Sequence, residues 1–311
     1  MVGADQVRRV PRILSPSVRA GVEVARILVT GGDGILAQAV ATILGAHHAV
    51  ASLDRTELDI TDPDAVLSAV QSKKPHVLVN CAGFTKVDDC EKEEDRAMQT
   101  NGIAVGYLAA ALPPGALLVH LSTDYVFDGR GGRPYVEDDR PSPFSAYGRT
   151  KLLGEKAAMS RRGPWLLVRS AWLFGAGGTN FVDTIRAKAE RGERLRVVDD
   201  QRGNPTWTID LAGAIAHLIE RGETGIFHAA GDGDTTWYAF AREIATQIGA
   251  PVDIEPIRSD ELGRPAPRPA DSRLDCMKLA DSGYRMLPWK TALRRYLDQE
   301  RRPWTAKAPS P

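Results

Sequence analysis

An α/β fold built on a doubly wound, mostly parallel sheet is what this sequence predicts, and three observations carry the prediction. From Ala25 onward, short apolar runs alternate with segments of helical period, the pattern of repeated strand, helix, strand units. The first apolar run ends in a glycine turn that opens directly into an apolar helix. Finally, 311 residues with 43% hydrophobic content can bury a core large enough for one α/β domain with a smaller companion.

Taken in order, the predicted strands are Arg26–Thr30, Ala49–Leu53, residues 77–81, 117–121 and 166–169, and Gly225–His228, each apolar and flanked by glycine, proline or polar residues. Helices fill the intervals. Asp62 followed by Pro63 reads as an N-cap with proline at the first helical position, starting a helix that runs to about residue 72. Residues 95–111 read as one further helix. Beyond Trp172 the rhythm becomes irregular: residues 180–191 are helical, Leu195–Val198 is extended, and residues 210–220 return to a helix. This is the pattern of a chain passing between domains. Residues 258–274, rich in proline and arginine, predict a long loop, and loops of that length usually have a function or are disordered. Trp237–Ile248 and Trp289–Glu300 predict helices that cover a second domain. Residues 1–25, with Pro11 and Pro16 and several arginines, read as a disordered extension or a start placed too early, a transit peptide being the alternative; residues 300–311 read as a loose tail.

Composition removes several functions. Lysine plus arginine equals aspartate plus glutamate at 40 each, so no charge excess holds a nucleic-acid backbone or an anionic membrane. No stretch approaches the roughly 20 apolar residues of a membrane span. Cys81, Cys90 and Cys276 are an odd number without metal-site spacing, which fits a reducing cytoplasm better than a disulfide framework.

The segment Thr30-Gly31-Gly32-Asp33-Gly34-Ile35-Leu36-Ala37 has the context a dinucleotide requires. Gly31 lets the chain turn, Gly34 lets backbone approach a pyrophosphate, Ala37 is small enough for close helix packing, and the helix N-terminus faces the phosphates. Asp54 closes the second strand about 20 residues on, where a carboxylate accepts from adenosine ribose hydroxyls. That favours NAD, whereas Arg55 could hold the extra phosphate of NADP, so cofactor choice stays open. Asp59 and Ile60 could line the adenine, with a solvated loop aspartate as the alternative reading.

Tyr147 and Lys151 lie four residues apart, hence on one helix face. A phenol with a reference pKa of about 10 is a poor proton source near neutrality, and a nearby ammonium is expected to lower that value. The strand at 117–121 runs into Ser122, Thr123 and Asp124, and strand ends are where open α/β sheets keep their ligands. A Thr123 hydroxyl there could bond a substrate carbonyl oxygen beside the Tyr147 proton. His120 and His228, inside apolar strands, read as core residues, and Cys81 as a small buried thiol near the cofactor.

The glycine turn, Ser122-Thr123-Asp124-Tyr125-Val126-Phe127-Asp128-Gly129 and the Tyr147 to Lys151 pair together resemble the extended short-chain dehydrogenases, and among them the dTDP-4-dehydrorhamnose reductase family. The similarity continues through Phe84 to Glu91, Asn101, Arg169 to Trp172, Asp200 to Thr206 and Arg268 to Asp275, over about residues 26–297. It implies a Rossmann-type cofactor domain at 26–172, with 203–228 returning to it, and a smaller C-terminal substrate-binding domain from 173–202 and 229–299. It implies catalysis by Thr123, Tyr147 and Lys151, with hydride delivered to C4 of a keto sugar and Lys151 also bonding the nicotinamide ribose. NADPH or NADH would lie against Gly31, Gly34, Ile35, Leu36, Asp54, Arg55, Asp59, Ile60, Cys81, Ala82, Gly83, Tyr147 and Lys151. A dTDP-sugar would lie against Thr85, Val87, Tyr125, Trp172 and Arg268.

Two positions depart from the family pattern. Ala37 stands where the glycine motif usually ends in glycine. Ala39 stands where some relatives have a glutamate that helps magnesium bridge a dimer, so magnesium is not expected and the chain reads as a monomer or homodimer. The competing readings are a reductase or epimerase of another nucleotide sugar, and a non-catalytic cofactor-binding subunit of the kind that regulates methionine adenosyltransferase.

Overall fold

The computed structural model describes residues 24–300. The expectations for the leader and the tail fall outside that range, apart from Val24, Ala25 and Glu300. Ala25 is buried and its carbonyl accepts from the Ala49 N–H, and Glu300 ends a helix.

All six expected strands form one sheet. In chain order they are β1 (Arg26–Thr30), β2 (Ala49–Leu53), β3 (Val77–Asn80), β4 (Leu117–Thr123), β5 (Trp165–Ser170) and the edge strand Gly225–His228. They lie side by side as edge strand, β5, β4, β3, β1, β2, and every pairing is parallel. The chain leaves β1 in one direction to reach β2 and in the other to reach β3, so a crevice opens at the carboxyl ends of β1 and β3, where open α/β sheets bind ligands.

Alternation along β1 shows why both faces are covered. Ile27 and Val29 enter a core shared with α1 (Ile35–Gly45) and the helix Thr208–Arg221, while Leu28 enters a second core with α2 (Pro63–Lys73) and the helix Ala104–Ala111. Asp62 caps α2 as expected, accepting from the N–H groups of Asp64 and Ala65. A separate apolar cluster joins Phe174, Val182, Leu195, Trp207, Phe240 and Trp289 beneath the helices Phe181–Glu190, Trp237–Ile248 and Trp289–Glu300.

One expectation needs correction, and one gains detail. The helix expected over 95–111 is broken: Glu94–Met98 runs into a π turn, Gln99–Ile103, before Ala104–Ala111 resumes. The reason lies in partners distant along the chain. Asn101 spends its amide on the backbone of Phe84, and Gly102 lets Leu153 approach so closely that an added Cβ would sit 2.5 Å from Leu153 Cδ2. The long loop expected over 258–274 is present, with one short turn at Ser259–Leu262, and it is held in place. Arg202 N–H donates to the Ala270 carbonyl, Ser272 N–H to Arg202, and Tyr135 N–H to Arg273, so backbone pairing with two distant segments carries the loop to the carboxyl side of the sheet.

Candidate active site

β1 delivers the chain into the glycine turn. Gly31 has φ +73°, and a Cβ there would lie 2.7 Å from the Ala82 Cα, so both the conformation and the close approach of the β3 loop require glycine. Gly34 donates to the Gly31 carbonyl at 2.9 Å and stands at the N-cap of α1 with no side-chain cap and no acidic residue in the first turn. Backbone N–H groups at Ile35 and Leu36 are therefore free to meet an anion, as a pyrophosphate site needs. Ala37 is fully buried against the sheet, filling the small-residue role expected of it.

Behind the turn, Asn80 Oδ1 accepts from the Thr30 hydroxyl at 2.7 Å and from Ala82 N–H at 3.2 Å, while Asn101 holds Phe84 by both its N–H and its carbonyl. Asn101 also donates to Thr150, which ties the segment Cys81, Ala82, Gly83 to the helix Ala146–Met159. Cys81 is a thiol pushed up to about 12 by burial, too weak an acid to react as thiolate.

At the end of β2, one oxygen of Asp54 accepts from Thr56 N–H, the Thr56 hydroxyl and Glu57 N–H. Those bonds hold its carboxyl below the usual range and leave the second oxygen for a ribose. Arg55 meets Asp59 at 3.4 Å in an exposed pair, and Asp59 also caps Thr61. Ile60 is buried, packed in the core that contains Leu58 and Val66.

The helix Ala146–Met159 is set by Ser145, whose side chain accepts from Gly148 N–H. Glycines seat it. A Cβ on Gly148 would collide with the Tyr125 carbonyl, and one on Gly154 with the Asn101 carbonyl. Tyr147 is thereby brought edge-on to Tyr125, ring centroids 5.5 Å apart, and beside Thr123. The Thr123 oxygen donates to Asp124 Oδ1 at 2.9 Å and accepts from Tyr125 N–H at 3.2 Å, and it lies beside the Tyr147 phenol. Its single proton can serve Asp124, the Tyr147 oxygen or a substrate oxygen, one at a time.

Lys151 is buried and its Nζ donates to the Leu121 carbonyl at 2.5 Å. Burial pulls the ammonium down to about 8. The expectation that it lowers the Tyr147 phenol is not met: burial raises that phenol above its ordinary value, Thr123 acts against the rise, and Asp124, Tyr125 and Cys90 add to it. The groups nearest the phenol are neutral or acidic, and burial outweighs them all.

On the other wall, Thr85 is exposed, Val87 opens the short helix Val87–Lys92, and Tyr125 lies between that helix and the helix Ala146–Met159. Arg268 is mostly buried and grips Asp88 with two bonds of 3.0 and 2.8 Å. Arg264 adds a second positive charge acting on Tyr125 and Asp88, so two guanidinium groups face one carboxylate. Trp172 has φ +47°, unusual for an aromatic residue, and stacks on Trp237 with centroids 3.7 Å apart and planes 9° from parallel. Asp88, Arg264, Trp237, Asp124 and Glu155 were not singled out as site residues from sequence. Only the helix glycines Gly148 and Gly154 offered a signal, since glycine in a helix interior costs about 1 kcal/mol against alanine and needs a packing reason.

A family model described as the RmlD substrate binding domain matches residues 25–302. The chain is 45% identical over 279 residues to dTDP-4-dehydrorhamnose reductase of Streptomyces griseus, covering 86% of this chain and 91% of that one. It is 40% identical over 273 residues to dTDP-4-keto-6-deoxy-D-glucose reductase of Streptomyces niveus, covering 86% and 95%. The crystal structure of dTDP-4-dehydrorhamnose reductase from Bacillus anthracis in complex with NADP superposes with a TM-score of 0.86 at 34% identity, covering 89% of this chain and 99% of that one. A Rossmann-type sheet, the glycine cradle, the Tyr147 and Lys151 helix and these matches agree, and the chain belongs to the dTDP-4-dehydrorhamnose reductase family.

Proposed function

We propose that this chain reduces the C4 keto group of a dTDP-4-keto-6-deoxyhexose with NADPH or NADH, converting dTDP-4-dehydrorhamnose to dTDP-L-rhamnose. The observation that carries the reading is the meeting of Thr123, Tyr147 and Lys151 at the carboxyl end of β4, next to an uncapped helix N-terminus that only glycines make accessible. A bound reduced nicotinamide supplies the hydride.

The chain's own residues do the rest. Gly31, Gly34, Ile35 and Leu36 offer backbone to the pyrophosphate, Asp54 and Arg55 meet the adenosine ribose, Asp59 borders that pocket, and Cys81, Ala82 and Gly83 floor the crevice. Lys151 holds the nicotinamide ribose. Tyr147 gives its proton to the sugar oxygen as charge builds there, and Thr123 fixes the phenol's position. A raised phenol pKa does not prevent this, because the alkoxide it protonates is the stronger base. Thr85, Val87, Tyr125 and Trp172 line the sugar, and Arg268 with Arg264 attracts the diphosphate. On this reading residues 26–172 and 203–228 form the cofactor domain, and 173–202 with 229–299 the substrate domain, in a cytoplasmic monomer or homodimer. Among the described residues no helix is long and apolar enough to cross a membrane.

The test is a two-by-two assay that offers dTDP-4-dehydrorhamnose and dTDP-4-keto-6-deoxy-D-glucose, each with NADPH and with NADH, following loss of reduced nicotinamide. Turnover of the first sugar is expected. Turnover of the second alone would move the assignment to the other sugar, and turnover of neither would remove the reductase reading.

A further inference from the structure

We propose that the buried Glu155 and Arg169 pair is a positioning element for this site, with Glu155 as the counter-ion that keeps the Lys151 ammonium charged and aimed. The inference rests on the reading of Lys151 as the residue that holds the nicotinamide ribose.

Lys151 and Glu155 are four residues apart on the helix Ala146–Met159 and share its inner face. They reach consecutive residues of β4. Lys151 Nζ donates to the Leu121 carbonyl at 2.5 Å, and Glu155 Oε1 accepts from the Ser122 hydroxyl at 2.6 Å; the next residue is Thr123. Arg169 on β5 closes on the same carboxylate with bonds of 2.9 and 2.8 Å, and the two side chains are 0% and 2% exposed. A buried ion pair is weak evidence for stability, since an apolar pair of similar volume often serves as well. Its placement one helical turn from Lys151 and one residue from Thr123 gives it a use.

The groups facing Lys151 define that use. On its own helix are Tyr147 and Glu155; beyond β3 is Cys81; on β4 is His120; and on β5, across Glu155, is Arg169. Burial holds Cys81 as thiol and His120 as neutral imidazole. Among these groups Glu155 supplies the negative charge. It opposes the desolvation that brings the ammonium down to about 8, so the lysine stays protonated at neutral pH.

NADPH affinity, followed by nicotinamide fluorescence from about pH 6 to about pH 10, reads the charge of Lys151 without any sugar. In the wild type, affinity falls as pH rises through the lysine's pKa. Glu155→Gln is expected to move that fall lower by about one pH unit or more and to reduce kcat roughly tenfold at neutral pH. Should stranding Arg169 prevent folding, the double variant Glu155→Met with Arg169→Met removes both charges and is expected to move the fall in the same direction. A fall at the wild-type pH in whichever variant folds would overturn the proposal, because a purely structural pair has no hold on that midpoint. Full NADPH affinity in Lys151→Met would overturn the role of Lys151 itself, and the proposal with it, whatever the Glu155 variants do.

Discussion

The two ends of the candidate site are built by opposite means. At the cofactor end, backbone and missing side chains do the positioning: Gly31, Gly34 and Ala82 form the cradle, and the charged residues Arg55 and Asp59 are solvent-facing. At the catalytic end, buried titratable groups do it: Lys151, Glu155, Arg169, Asp124 and His120 are all at most 5% exposed. A cradle of glycines fails when an atom is added. A cluster of buried charges fails when a proton is added or removed.

The sharpest break would come at the catalytic end. Tyr147→Phe is expected to lower kcat by roughly 100-fold or more while leaving the NADPH dissociation constant nearly unchanged, as loss of a general acid should. Comparable loss of cofactor affinity would mean that the phenol belongs to the cradle as much as to the chemistry. Next in size is Gly31→Ala. The added methyl meets the Ala82 backbone at a positive φ, so about 1–3 kcal/mol of stability is expected to be lost, together with cofactor binding. Chemical denaturation and a binding titration would check both, and a variant as stable as the wild type would show that the turn relaxes.

Acid should act on the catalytic end. His228 is held down to about 3 by burial and by Arg169, against about 6.5 when unfolded, and burial also holds His120 well below its ordinary value. The unfolded chain therefore takes up protons first, and stability should fall as pH drops from about 6.5 toward 3. Asp124, raised to about 6 by burial, and Glu137 and Asp210, also raised by burial, have the opposite sign over part of that window, but His228 is displaced further than Asp124 and His48 adds to the lowered imidazoles. Urea midpoints at about pH 7 and about pH 5 decide the matter; an unchanged or higher midpoint in acid would contradict the buried neutral imidazoles. Smallest in effect is Arg55→Ala. Breaking an exposed pair of 3.4 Å should cost less than about 0.5 kcal/mol, yet the ratio of NADPH to NADH affinity should fall several-fold. An unchanged ratio would place the adenosine ribose elsewhere.

Much of this was legible before any coordinates. The six strands alternate or run apolar over lengths that leave little choice, and Leu195–Val198, Trp237–Ile248 and Trp289–Glu300 appear with the expected bounds. The glycine turn and the Tyr147 to Lys151 spacing are local signals, each contained in one strand-to-helix junction or one helical turn. Illegible were the features that depend on partners far away in the chain. The π turn at Gln99–Ile103 arises because Asn101 prefers the Phe84 backbone, and the loop 258–274 is ordered by Arg202 and Tyr135. The packing of Ile60 beneath α2 likewise depends on residues outside its own loop.

The sequence by itself determined which segments become strands and helices and where the glycine cradle and the phenol-ammonium pair must lie, because period, capping and turn chemistry act over a few residues. Tertiary structure alone decided the meeting of Thr123 with Tyr147, the pairing of Arg268 with Asp88 and the burial of Glu155 against Arg169. Those depend on which groups meet after the chain has closed on itself, and on how completely water is then excluded, and no local pattern encodes either.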